Sequence, residues 1–149
     1  MTPTSLPALH VTGLRVRTRN ADEMQPDTAR LGRLWGDFAQ RIAPHLTSDS
    51  VVYGVYHRYA SDQHGEYDVL VGAQSLAAGA PADLAQLKVA AGRYLVFEAQ
   101  GPMPQAALQA WSAVWACFAD SDCPHRRAFT ADFERYDGPD RVSVWVALA

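Results

Sequence analysis

Two cysteines in 149 residues, Cys117 and Cys123, are too few to staple a fold. Cys117 falls in a predicted helix and Cys123 just after it, and a non-oxidising compartment makes them a reduced, structural pair. Positive charge is also scarce. Thirteen Lys and Arg against sixteen Asp and Glu leave a net charge of -3, with no basic surface to hold nucleic acid by electrostatics. No apolar run is long enough to span a bilayer. The opening stretch, MTPTSLPALH, lacks the basic region and apolar core of a signal peptide, so the expected location is the cytoplasm. The histidines His10, His45, His57, His64 and His125 are scattered, with no i, i+4 pair and no cysteine at zinc-ribbon spacing. No metal and no cofactor is expected. Phosphate-cradling glycine loops, a nucleophile-elbow serine, a paired-histidine helix and a dinucleotide fingerprint are all missing.

What is present is apolar and aromatic. With 48% hydrophobic residues, the chain can bury a real core, and one compact domain over 1–149 is expected. Leu-His-Val-Thr-Gly-Leu-Arg-Val-Arg-Thr alternates from Val11 onward and reads as a first strand. Leu31, Leu34, Trp35, Phe38 and Ile42 then recur at helical spacing, with Pro26 suited to a first turn and Pro44 to the end. Gly32 and Gly36 weaken this helix and suggest close packing on a sheet. SVVYGVYHRYA and GEYDVLVGAQSL read as a hairpin across SDQHG. LKVAAGRYLVFEAQG reads as one strand bent near Ala91 and Gly92. A second helix begins near Pro104, with Leu108, Trp111, Trp115 and Phe118 as its apolar stripe and Val114 widening it. Two strands close the chain, FTADFERYDG and RVSVWVALA.

The order is strand, helix, strand, strand, twice over. It predicts an α+β fold with antiparallel sheets and two main helices, built from duplicated βαββ modules. The halves, roughly 8–78 and 84–149, would be related by a pseudo-twofold axis, and the seam between them is the expected place for a ligand cleft.

Alternation in FTADFERYDG puts Phe129, Ala131, Phe133 and Arg135 on one face and Thr130, Asp132, Glu134 and Tyr136 on the other. Read as an ordinary sheet, the aromatics are core and the acids are solvated strand-end charges. Asp132, nearer the start, fits that description. Glu134 fits it less well, because a mid-strand carboxylate among aromatic rings is costly to ionise unless paired, and its pKa should rise. The same surroundings suit a lipophilic cation, with aromatic faces contributing about 0.5–2 kcal/mol each and the acid supplying counter-charge.

The runs LGRLWGDFAQRI, YGVYHRYASDQHGEYDVLVG, VAAGRYLVFEAQG, AWSAVW and ADFERYD, in that order, resemble the GyrI-like small-molecule-binding family. These are effector-binding domains of AraC- and MerR-type multidrug regulators, also found as stand-alone proteins. The resemblance covers about Val11 to Leu148. It implies two βαββ modules around a cleft, and recognition of bulky cationic or aromatic compounds by a glutamate in an aromatic pocket. By motif that glutamate is Glu134, with Tyr136 beside it. Trp111, Tyr67 and Trp35 are matching aromatic positions, Glu66 is a second acid, and Glu98 with Tyr94 match more weakly. No helix-turn-helix segment precedes Val11, so a regulatory role is expected to need a separate partner.

The first functional expectation is therefore a stand-alone protein that binds hydrophobic, cationic or aromatic small molecules, and not an enzyme. The resemblance also implies two alternatives. One is a hydrolase of reactive cyclopropyl-type compounds, with Glu134 as general base and Tyr67, Glu66 or His57 as its polar partner. The other is a protein-interaction module similar to a DNA gyrase inhibitor, for which a charge of -3 is a weak argument.

Overall fold

The computed structural model describes residues 2–149. It holds one eight-stranded, wholly antiparallel sheet with helices on one face. The strands are β1 (Thr4–Leu6), β2 (Leu9–Thr18), β3 (Leu46–His57), β4 (Tyr67–Leu76), β5 (Ala85–Val89), β6 (Gly92–Gln100), β7 (Ala131–Tyr136) and β8 (Arg141–Ala147). The helices are α1 (Asn20–Glu23), α2 (Leu31–Arg41) and α3 (Gln105–Ala119), with a 3-10 turn at Ala43–His45. Pro44 sits in that turn, and the α-helix stops before it.

The strand order is β1-β6-β8-β7-β3-β4-β2-β5. Replacing each strand by the one four places along reverses this order onto itself, which is the expected pseudo-twofold. The axis passes between β3 and β7, which pair antiparallel from Val52↔Tyr136 to His57↔Ala131.

Three local expectations need correction. The segment predicted as one bent strand is two, because β5 pairs with β2 while β6 pairs with β1 and β8. The short β1 was not foreseen. Each half thus sends an edge strand to the other. Pro26 lies between α1 and α2 instead of in the first turn of the long helix. A Cβ at Gly32 or Gly36 would meet nothing within 4 Å, so close packing on the sheet does not account for these glycines.

Only two residues link β1 to β2 and only two link β5 to β6, although each link joins opposite sides of the sheet. Such links span about 10 Å at most, so the sheet must curl until its edges approach. The enclosed face holds Leu9, Val11, Tyr53, Val55, Leu70, Val89, Tyr94 and Phe133 in one core. Trp145 stacks on Phe133 with centroids 5.6 Å apart.

The other face carries the helices, as the period-2 pattern of the strands demands. On α2, Leu34 and Phe38 cover Tyr67, Val69 and Val71 of β4. On α3, Ala110, Trp111 and Val114 cover Leu95 and Phe97 of β6 and Val144 and Val146 of β8. The predicted α3 stripe is displaced. Its buried face is Ala106, Ala107, Ala110, Trp111 and Val114, while Leu108 and Trp115 are 58% and 45% exposed. Small alanines let the helix lie close to the sheet and leave its bulkier residues facing sideways. Between α2 and α3 the central strands β3 and β7 are uncovered.

Candidate functional site

A cavity of about 870 Å³ opens over that uncovered strip. One wall is α3, through Leu108, Trp111, Trp115 and Phe118. Facing it are α1, through Asn20 and Glu23, its C-cap residue Met24, and the start of α2 at Leu31. Tyr56 and Tyr67 form the floor, and the loops after β3 and before β7 close one end with Tyr59, His64, His125, Arg126, Arg127 and Phe129. The volume and the aromatic lining are those of a small-molecule site.

Glu134 lies beneath this floor, 4% exposed. Three donors hold its carboxylate. Tyr56 Oη and Trp111 Nε1 donate to Oε2 at 2.9 and 2.7 Å, and Tyr136 Oη donates to Oε1 at 2.8 Å. Burial pushes the carboxyl above its ordinary value of 4.5, and the hydrogen bonds from Trp111, Tyr136 and Tyr56 oppose that rise. Burial, then the adjacent Glu134 charge, drives the Tyr56 and Tyr136 phenols upward, so both remain donors.

Gly54 makes room for the carboxylate. It pairs with Glu134 across β3 and β7, and a Cβ there would lie 2.7 Å from Oε1 and 3.3 Å from the Trp35 ring. A glycine inside a strand is the sequence signal for such an approach.

A second buried acid was expected to be solvated. Asp132 is 0% exposed. It accepts from Arg127 Nη2 at 2.6 Å, Tyr59 Oη at 2.5 Å and the Ala147 amide at 2.9 Å. The cause is local backbone. Arg58 and Phe129 both have positive φ, 51° and 53°, which breaks strand alternation on either side of the β3–β7 pair. Tyr59 is thereby carried to the helix side to reach Asp132, and Phe129 turns into the cavity instead of joining Phe133 in the core. The two rings meet edge to face at 5.5 Å.

Of the residues singled out from sequence, Trp111 and Tyr67 line the cavity, and Glu134 and Tyr136 form the hydrogen-bonded layer beneath it. Trp35 stands apart from the cavity, packed on Phe38 and Tyr136. Glu66 does not join. Its side chain is 59% exposed and faces Arg17 at 3.7 Å. Tyr94 belongs to the enclosed core, and Glu98 borders a small groove elsewhere. His57 is buried with Nε2 unpaired, outside the cavity lining. Tyr56, Tyr59, Phe129 and Gly54 were not singled out. The alternation that places Tyr56 beside Gly54 was visible, but not the pairing of β3 with β7 that brings both to Glu134.

Residues 4–148 match the Cass2 family of integron-associated effector binding proteins. The chain belongs to that family. An integron cassette protein from the mobile metagenome of Vibrio cholerae is 41% identical, with a TM-score of 0.93 over 99% of this chain and 95% of its own. YobU of Bacillus subtilis, named as a candidate transcriptional regulator, is 30% identical over 147 residues, covering 91% of this Cass2 chain and 89% of YobU. SAV2435, solved with bound tetraphenylphosphonium, shares the fold at 18% identity, with a TM-score of 0.72 over 99% and 93% of the two chains. No helix among the described residues is long and apolar enough to cross a membrane.

Proposed function

We propose that this Cass2 protein binds lipophilic, aromatic cations in the cavity between α2 and α3, as the GyrI-like effector domains it resembles are expected to do. One observation carries the reading: a buried carboxylate held by Tyr56 and Trp111, whose rings form the floor and wall. Both rings donate to Glu134 and so present electron-rich faces to the cavity. A cation stacked on them gains ring attraction and, behind it, a counter-charge that is not screened by water. The tetraphenylphosphonium bound to SAV2435 is a molecule of this class. A partner regulator or other protein target would receive the signal, and no direct contact with nucleic acid is proposed.

Hydrolysis is the less favoured use of the same residues. A general base needs an oxygen open to water, whereas both Glu134 oxygens are occupied by donors and the side chain is shut off from the cavity by rings. Nothing comparable favours a gyrase-inhibitor-like interaction module.

Titration with matched cationic, neutral and anionic aromatic dyes, read by fluorescence, tests the proposal. Cationic dyes should bind with dissociation constants of roughly micromolar order. Tightest binding of the anionic members would overturn the counter-charge argument, and no binding by any would favour the interaction module.

A further inference from the structure

The cavity is not uniformly suited to cations. The two acids at the cavity are both committed: Glu134, beneath the floor, to three ring donors, and Glu23, in the lining, to the amides of Arg30 and Leu31 at the start of α2 and to Thr18 Oγ1. Its basic members gather at one end. His64 comes from the β3–β4 loop, and His125, Arg126 and Arg127 come from the loop leading to β7. Arg127 is neutralised by Asp132 and lies 4.3 Å over the Phe129 ring. Arg126 is exposed, lines the cavity and belongs to no ion pair among the described residues. The positive end therefore keeps an uncompensated guanidinium.

The two poles lie along the β7 direction. Glu134 is three residues inside the start of β7 at Ala131, and Arg126 is five residues before it. At about 3.3 Å per strand residue, the carboxylate sits roughly 10 Å inside that end of the sheet. Between the poles the lining is aromatic: Tyr56, Tyr59, Tyr67 and Phe129.

We infer that the preferred ligand is amphoteric: a flat aromatic body with a cationic nitrogen over Tyr56 and Trp111 and an acidic group, such as a carboxylate, directed to Arg126. The inference rests on the cation-binding reading and adds a second, opposite recognition point. A guanidinium suits it because it can grip a carboxylate with two parallel hydrogen bonds and remains charged at any working pH.

The test uses one xanthene dye, rhodamine B, as its free acid and as its ethyl ester, titrated into the full chain by fluorescence anisotropy. Both forms carry the delocalised cation, and only the acid carries the carboxylate. The wild type should bind the acid more tightly. Arg126→Ala should weaken the acid by about three- to tenfold and leave the ester within about twofold, and Arg126→Lys should restore part of the loss. If both forms bind the wild type but Arg126→Ala shifts them equally, or shifts neither, the amphoteric preference is overturned while cation binding stands. If neither form binds the wild type, the cation-binding reading falls and takes this inference with it.

Discussion

At Glu134 burial, charge and three hydrogen bonds meet in one side chain, which makes it the residue on which the proposed cation binding is tested. Its glutamine variant can keep the geometry. The amide oxygen replaces Oε2 as acceptor for Tyr56 and Trp111, and the amide NH2 replaces Oε1 and donates to Tyr136, whose hydroxyl turns to accept. Glu134→Gln should therefore spare the fold and weaken a cationic dye by roughly 1–3 kcal/mol. The pH dependence follows from the raised carboxyl. Folding favours its protonated form, so this group's contribution to stability is present in full below about pH 4.5 and is lost as pH rises through the folded value. Cation affinity should run the opposite way. It should strengthen as pH rises through the same window, because the ligand pairs with the ionised form, and the glutamine variant should be flat there. A wild-type affinity that does not change across this window would remove Glu134 as the counter-charge. The sequence made this residue legible because a carboxylate among rings is chemically conspicuous. Asp132, two residues earlier on the same face, is not legible in this way, because its partners Arg127 and Tyr59 reach it only through two left-handed residues, Arg58 and Phe129, that no alternation pattern reveals.

At the scale of elements, the two helices differ in how closely their apolar residues correspond to core. In α2 the periodic positions Leu34 and Phe38 are buried against β4, and each truncation should cost about 2–5 kcal/mol. In α3 the same periodicity leads to Leu108 and Trp115, which the alanine-lined contact with β6 and β8 leaves at the cavity wall. Trp115→Ala should therefore lower stability by no more than about 1 kcal/mol while weakening an aromatic dye, and Phe38→Ala should do the reverse in denaturant titrations run beside binding assays. Comparable destabilisation by both variants would return Trp115 to the core. Hydrophobic periodicity locates a helix and does not say which apolar residues face the sheet, since that depends on how closely the small ones allow it to approach. The strands were more legible, β2, β4 and β8 especially, because one residue in two must point to each side. The division between β5 and β6 is hidden for a related reason: two small residues, Ala90 and Ala91, are the whole connection, and they read as a bend in one strand instead of a change of partner.

For the whole molecule, the exchanged edges set the scale of cooperation. β1 precedes the first βαββ unit in sequence but hydrogen-bonds to β6 of the second, and β5 precedes the second but completes the first at β2. The central β3–β7 ladder and the core holding Val11, Tyr53, Tyr94 and Phe133 are likewise drawn from both units. A fragment of 8–78 alone would expose β2 along the edge that β5 covers and β3 along the edge that β7 covers, leaving unpaired backbone and half a core to water. We therefore propose that 1–149 is one folding domain and that its halves are symmetric without being autonomous. Urea unfolding followed by far-UV circular dichroism and by tryptophan fluorescence should give a single coincident midpoint. Trp35 reports from the first unit, and Trp111, Trp115 and Trp145 report from the second. A saturating cationic dye should move that midpoint upward as one, because the cavity has walls from both units and the ligand binds only when they are joined. Two separated transitions, or a dye that shifts one probe and not the other, would mean that the halves fold independently and that the cleft forms by docking.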